Sequence, residues 1–178
     1  QIGAEIIIAG FGGQGVLVLG QLITYAGMIE DKAVSWFPSY GPEQRGGTCN
    51  CSVVISDEEI GSPIVSKPTV AIVMNAPSLD RFEPTVAPGG LIVYNSTLIQ
   101  QKPKRDDVKV VAVPANEIAD ELGNARVANM VLLGAFIEAT GLIDIASVQE
   151  SLKQVLSERH HHLIPLNMQA LERGRAYQ

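Results

Sequence analysis

Gly10, Gly12 and Gly15 stand in the run Gly10-Phe11-Gly12-Gly13-Gln14-Gly15, a G-x-G-x-x-G arrangement. An apolar run, residues 5–9, precedes it, and a stretch of helical spacing over 16–29 follows. Such a loop presents backbone N–H groups at a helix N-terminus, where an anion is stabilised. The first glycine permits a tight turn, the second lets a phosphate approach, and the third lets helix and strand pack closely. Gly10, Gly12, Gly13, Gln14 and Gly15 are therefore the candidate ligand-binding residues. A dinucleotide site also wants an acidic residue at the end of the second strand, roughly 20 residues on. Ser35-Trp36-Phe37-Pro38 stands there instead, which argues against NAD or FAD. The competing reading of the loop is a turn that only packs.

A second loop is unusual: Tyr40, Gly41, Pro42, Glu43, Gln44, Arg45, Gly46 and Gly47 follow one another without an apolar residue at helix or strand spacing. Its Glu43 and Arg45 can pair with each other, or Arg45 can offer a guanidinium to a carboxylate or phosphate. A solvated charge pair is the alternative. Cys49 and Cys51, two apart, share a strand face, a poor geometry for a disulfide, and cannot alone supply four cluster ligands. Two reduced thiols are expected. His160-His161-His162 lacks a carboxylate or cysteine at ligand spacing, so no metal site is expected. Lys102, Lys104 and Arg105 are followed by Asp106 and Asp107 and read as a solvated loop. Arg126 and Asn129, three apart, bring polar groups to the start of an apolar helix, where capping, interface and ligand roles remain open. There is no G-x-S-x-G elbow, no lysine of a P-loop and no H-E-x-x-H, so no residue is assigned a catalytic role.

The elements around these residues alternate. Strands are expected over 5–9, 33–37, 49–56, 69–74, 91–94 and 108–113, and helices over 16–29, 77–82, 115–122, 126–140, from Asp144 to about Ser157, and 166–173. The pattern predicts a single α/β domain over 1–178, three-layered and Rossmann-like, with a mostly parallel sheet. The helix over 126–140 is apolar nearly all round and should be buried. The 178 residues carry 13 Lys+Arg against 19 Asp+Glu, a net charge of −6 that argues against nucleic acid and anionic membranes. A mean hydropathy of +0.17 points to apolar surface covered by a partner chain. No basic leader or membrane-length apolar stretch stands out, so a cytoplasmic protein is expected.

The glycine run with Val16, the segment Phe37-Pro38-Ser39-Tyr40-Gly41-Pro42-Glu43-Gln44-Arg45-Gly46-Gly47, and Ile55-Ser56-Asp57-Glu58-Glu59-Ile60-Gly61-Ser62-Pro63 occur in an order and spacing that resemble the gamma subunit, or gamma domain, of 2-oxoacid:ferredoxin oxidoreductases. The resemblance continues in Asn129-Met130-Val131-Leu132-Leu133-Gly134 and in Asn167, Ala170, Leu171 and Gly174. It implies a chain that works with alpha and beta parts, and a delta part where there is one. Together they convert a 2-oxoacid and coenzyme A to acyl-CoA and carbon dioxide, with electrons passing to ferredoxin. Thiamine diphosphate and the iron–sulfur clusters would sit in those other subunits, and this chain would hold neither. Tyr40 and Gly46-Gly47-Thr48 resemble the 2-oxoglutarate type most. The resemblance also implies that Tyr40, Gly41, Pro42, Glu43, Arg45, Gly46 and Gly47 lie at a subunit junction. Coenzyme A is then the diphosphate ligand left for the glycine loop, and its 3′-phosphate makes the missing ribose acid expected. The alternatives are a stand-alone NAD-type nucleotide module, or the gamma part of the pyruvate or branched-chain enzyme.

Overall fold

The apolar run at the N-terminus becomes β1, Ala4–Phe11. Its side chains alternate between two separate cores: Ile6 and Ile8 enter one, Ile7 and Ala9 the other. A strand buried on both faces needs this unbroken apolar composition, and each buried Ile stabilises the fold by about 1.5–3 kcal/mol. The computed structural model describes residues 3–39, 48–62 and 64–177. After β1 come α1 (Val16–Ile29), β2 (Ala33–Ser39), β3 (Thr48–Ser56), β4 (Val70–Val73), α2 (Ala76–Phe82), β5 (Leu91–Asn95), β6 (Lys109–Val113), α3 (Ala115–Glu121), α4 (Ala128–Thr140), α5 (Ile145–Val155) and α6 (Ile164–Ala176).

The six strands form one sheet in the order β2-β3-β1-β4-β5-β6. β1, β4, β5 and β6 are parallel neighbours, whereas β3 runs against both β1 and β2. Five strands thus share one direction, and β3 is the one reversed. Strand alternation carries no polarity, so this reversal could not be read from residues 49–56. Three-residue 3₁₀ turns at Glu83–Thr85 and Ala125–Val127, and a longer one at Glu158–Leu163, were also absent from the expected elements. The first of the helices expected late in the chain is therefore shorter than 126–140, and the last is longer than 166–173.

Helices α1, α3, α4, α5 and α6 contribute to the core on one face, and α2 with Val86 and Ile99 covers the other. The helical face is two deep. α6 packs over α4, and α5 over α1. This is why Met130 to Ile137 of α4 are all buried and why its apolar residues run all round. Gly134 of α4 lies against the Leu171 carbonyl of α6, and Gly174 of α6 lies against the Val131 carbonyl of α4. Any side chain at either position would overlap the opposing backbone.

Candidate functional site

The chain leaves β1 for one face through α1 and leaves β4 for the other through α2. The C-terminal ends of β1 and β4 therefore flank a crevice, the place where open α/β sheets bind ligands. The glycine loop lies there. Gly12 and Gly13 are exposed, and Gly13 has φ +89° with open space where a side chain would be. Gly15 caps α1 in the left-handed region at φ 78°. Gly10 is a strand residue of β1 instead of a turn residue, and a Cβ on it would press on Gln14, Met74 and Val16. Gly15 serves the approach of α4 to the loop: a Cβ there would overlap Asn129, whose Nδ2 donates to the Gly15 carbonyl at 3.3 Å. Gln14 Oε1 accepts the Phe11 N–H at 2.5 Å and ties the loop across its base.

Two cavities open beside Gly13 and share Arg126. The smaller, about 210 Å³, is lined by Gly13, Gln14, Met74, Asn116, Arg126 and small side chains. The larger, about 440 Å³, has apolar walls from Val18, Val127, Leu156 and Leu163, with Asn124, His160 and Asn167 as polar groups. Its volume is that of a small-molecule site. The Arg126 guanidinium forms no ion pair among the described residues. The Arg126 backbone N–H is held by Asn124 Oδ1 at 2.9 Å. A cation without an ion pair among the described residues, beside backbone N–H groups at the start of α1, suits an anionic ligand. Arg126 belongs to the 3₁₀ turn that leads into α4, and Asn129, which holds the Gly15 carbonyl, lines the larger cavity with it.

Reversed β3 also bears on the choice of ligand. It sits between β1 and β2, so the end of β2 lies two strand spacings, about 10 Å, from β1. A ribose acid there would be out of register with the glycine loop, and Ser35, Trp36 and Phe37 supply none.

The remaining sequence candidates fall elsewhere. Tyr40, Gly41, Pro42, Glu43, Arg45, Gly46 and Gly47 lie outside the described residues. Cys49 and Cys51 are free thiols of β3. Burial pushes Cys51 up to about 12 and raises Cys49 as well. Among the described residues no group of three or more His, Cys, Asp or Glu is placed to hold a metal ion. His160 contacts Ser157 Oγ through Nδ1 at 2.9 Å and lines the larger cavity. Arg105 is not part of a freely solvated loop: it pairs with Asp107 at 2.7 Å and donates to the carbonyls of Glu83 and Val86. No described helix is long and apolar enough to cross a membrane. Asn95, Asn116 and Asn124 were not among the site candidates, His160 was weighed only as a metal ligand, and Asn167 entered only through the resemblance. The one sequence signal was asparagine closing an apolar strand, as Asn95 closes β5.

These features define an α/β domain with a glycine loop at a strand switch point and, beside it, an arginine with no ion pair among the described residues. Residues 5–177 match the model of the pyruvate ferredoxin/flavodoxin oxidoreductase family. The chain belongs to that family. It is 46% identical over 172 residues to ketoisovalerate oxidoreductase subunit VorA of Methanothermobacter thermautotrophicus, covering 96% of this chain and 35% of that relative. The chain thus spans about a third of the length of that relative. It is 36% identical over 160 residues to 2-oxoglutarate synthase subunit KorC of the same organism, covering 86% of this chain and 85% of KorC. Among solved structures, the gamma subunit of a keto/oxoacid ferredoxin oxidoreductase from Geobacter sulfurreducens superposes with a TM-score of 0.82 at 27% identity, covering 96% of this chain and 95% of that one. A 2-oxoglutarate:ferredoxin oxidoreductase chain from Magnetococcus marinus shares the fold, with a TM-score of 0.87 at 24% identity over 99% of this chain and 31% of that one.

Proposed function

We propose that this chain is the gamma part of a 2-oxoacid:ferredoxin oxidoreductase and that its glycine-loop site binds coenzyme A. The family match over 5–177 carries the first half of this reading. The exposed Gly13, which lines both cavities together with Arg126, supports the second, as does the absence of an ion pair to Arg126 among the described residues. The complex joins a 2-oxoacid to coenzyme A, releases carbon dioxide and passes two electrons to ferredoxin. Thiamine diphosphate and the clusters supply decarboxylation and electron transfer from the other subunits. This chain's share is to bind and orient: backbone N–H groups and Arg126 meet phosphate oxygens, and the apolar walls of the larger cavity take a less polar part of the ligand. Such binding depends on contacts from several subunits and is weak in the isolated chain.

For the substrate, the resemblance of residues 40–48 to the 2-oxoglutarate type gives way to overall identity. The match to a ketoisovalerate subunit at 46%, against 36% for a 2-oxoglutarate subunit, supports a branched-chain 2-oxoacid. An NAD module is disfavoured by the distance of β2 from the loop. The test is reconstitution with the alpha and beta parts. The chain co-purifies with them, and the complex reduces a viologen dye with 2-ketoisovalerate only when coenzyme A is present. Dye reduction by the pure chain, or failure to co-purify, contradicts the reading.

A further inference from the structure

The smaller cavity holds three polar side chains, those of Gln14, Asn116 and Arg126, and neither a carboxylate nor a hydroxyl side chain among its described lining residues. Both amides in it are locked in one orientation. The lock begins at Asn95, fully buried at the end of β5. Its Oδ1 accepts the Ala115 N–H at 3.1 Å and the Thr97 N–H at 3.3 Å. A backbone N–H can only donate, so the Asn95 amide cannot be turned over. Its Nδ2 must then face Asn116, and it donates to Asn116 Oδ1 at 2.6 Å. Asn116 therefore turns its oxygen to Asn95, and its Nδ2 is the end left free for a ligand. Gln14 is fixed by the same logic. Its Oε1 accepts the Phe11 N–H, which leaves Nε2. Arg126 has donors and no acceptor.

We propose that Asn95 is a positioning residue that holds Asn116 as a donor, and that Gln14, Asn116 and Arg126 make this cavity select an acceptor-only oxyanion, a phosphoryl group. The proposal deepens the glycine-loop reading and rests on it for the identity of the whole ligand. A ligand group carrying its own donors would meet no acceptor other than two amide oxygens already engaged by Phe11 and Asn95, and would lose hydrogen bonding to water.

Inorganic diphosphate is the probe, titrated calorimetrically into the assembled oxidoreductase. Asn116→Asp keeps the bond from Asn95 and exchanges only the end facing the ligand, so it weakens diphosphate about tenfold or more. Asn95→Asp still accepts from Ala115 and Thr97 but, when ionised, has no proton for Asn116, which then turns its oxygen to the ligand. This variant weakens diphosphate about fivefold. In an Asn116→Ala background the same Asn95→Asp change has no further effect, because there is no amide left to orient. A merely structural role would weaken both backgrounds alike and overturns the proposal. Asn116→Asp binding within about twofold of the unaltered complex also overturns it, given the strength expected of a charge-assisted contact. Diphosphate binding that these variants weaken but coenzyme A does not displace supports the donor cavity and contradicts the coenzyme A reading. Normal saturation with coenzyme A and no diphosphate binding overturns the donor cavity and leaves that reading standing.

Discussion

Gly134 and Gly174 face protein backbone, whereas Gly13 faces open space and its neighbour Gly12 is exposed. In the α4–α6 contact the missing side chain lets two helices touch, carbonyl against Cα, in both directions. In the first loop the missing side chain leaves a bare patch of backbone between two cavities lined by Arg126. One residue type thus does two jobs, and what separates them is what a Cβ would meet. A fold gains nothing from leaving a glycine bare unless something else comes to fill the space. The paired helices have already used their close approach, and the loop has not.

The largest effect that can break this contrast is on stability. Gly134→Ala should cost about 3 kcal/mol, at the upper end for overpacking, because the clash is with backbone and not with a movable side chain. Gly12→Ala should stay within about 0.5 kcal/mol of the parent. Urea unfolding of both checks the pair, and equal midpoints would erase the distinction.

Next in size is the ligand side of the contrast. Arg126→Ala should raise the Michaelis constant for coenzyme A about tenfold in the assembled enzyme, the loss of one charge-assisted contact. It should leave the melting temperature unchanged, since the guanidinium holds no ion pair among the described residues. A lowered melting temperature with an unchanged constant would make Arg126 a structural residue.

The last prediction probes a third packing glycine, and its effect is absent near neutral pH and confined to high pH. At Gly20, α1 closes on Trp36 and Cys51. Burial lifts the Cys51 thiol from 9.0 to about 12. The folded chain keeps this proton where the unfolded chain has lost it. Stability from this group is therefore complete below about pH 9 and falls as pH rises toward 12. Unfolding curves across that range should show the fall, and Cys51→Ala should flatten it. Rapid modification of Cys51 in the native chain near neutral pH would show that the α1–β3 contact is looser than drawn.

Much of the frame was legible because it is local. The unbroken apolar run of β1, the glycines after it and the 3.6-residue spacing of α1 sit next to one another, and the bounds of α1 came out as expected. The reversal of β3 was not legible, because a period of two is the same in both directions. Nor did the fingerprint say which glycine does what: Gly10 packs within a strand, and Gly15 makes room for Asn129 from 114 residues away. The polar side chains of the cavities come from four separate stretches, around Gln14, Asn116, Arg126 and His160. No spacing rule joins them. His160 in particular sat in a histidine run that drew attention to metal chemistry, while its place is beside the larger cavity.

The central claim is that the bare loop is a binding surface, and Gly12→Val tests it most directly. Gly12 is exposed and is not among the glycines with positive φ, so valine there demands no left-handed backbone. A branched side chain there blocks backbone approach by a phosphate. In the assembled enzyme the Michaelis constant for coenzyme A should rise about tenfold, while that for the 2-oxoacid and the turnover number stay near their parent values. If the variant assembles normally and both constants remain unchanged, the loop is a packing turn and the site assignment is wrong.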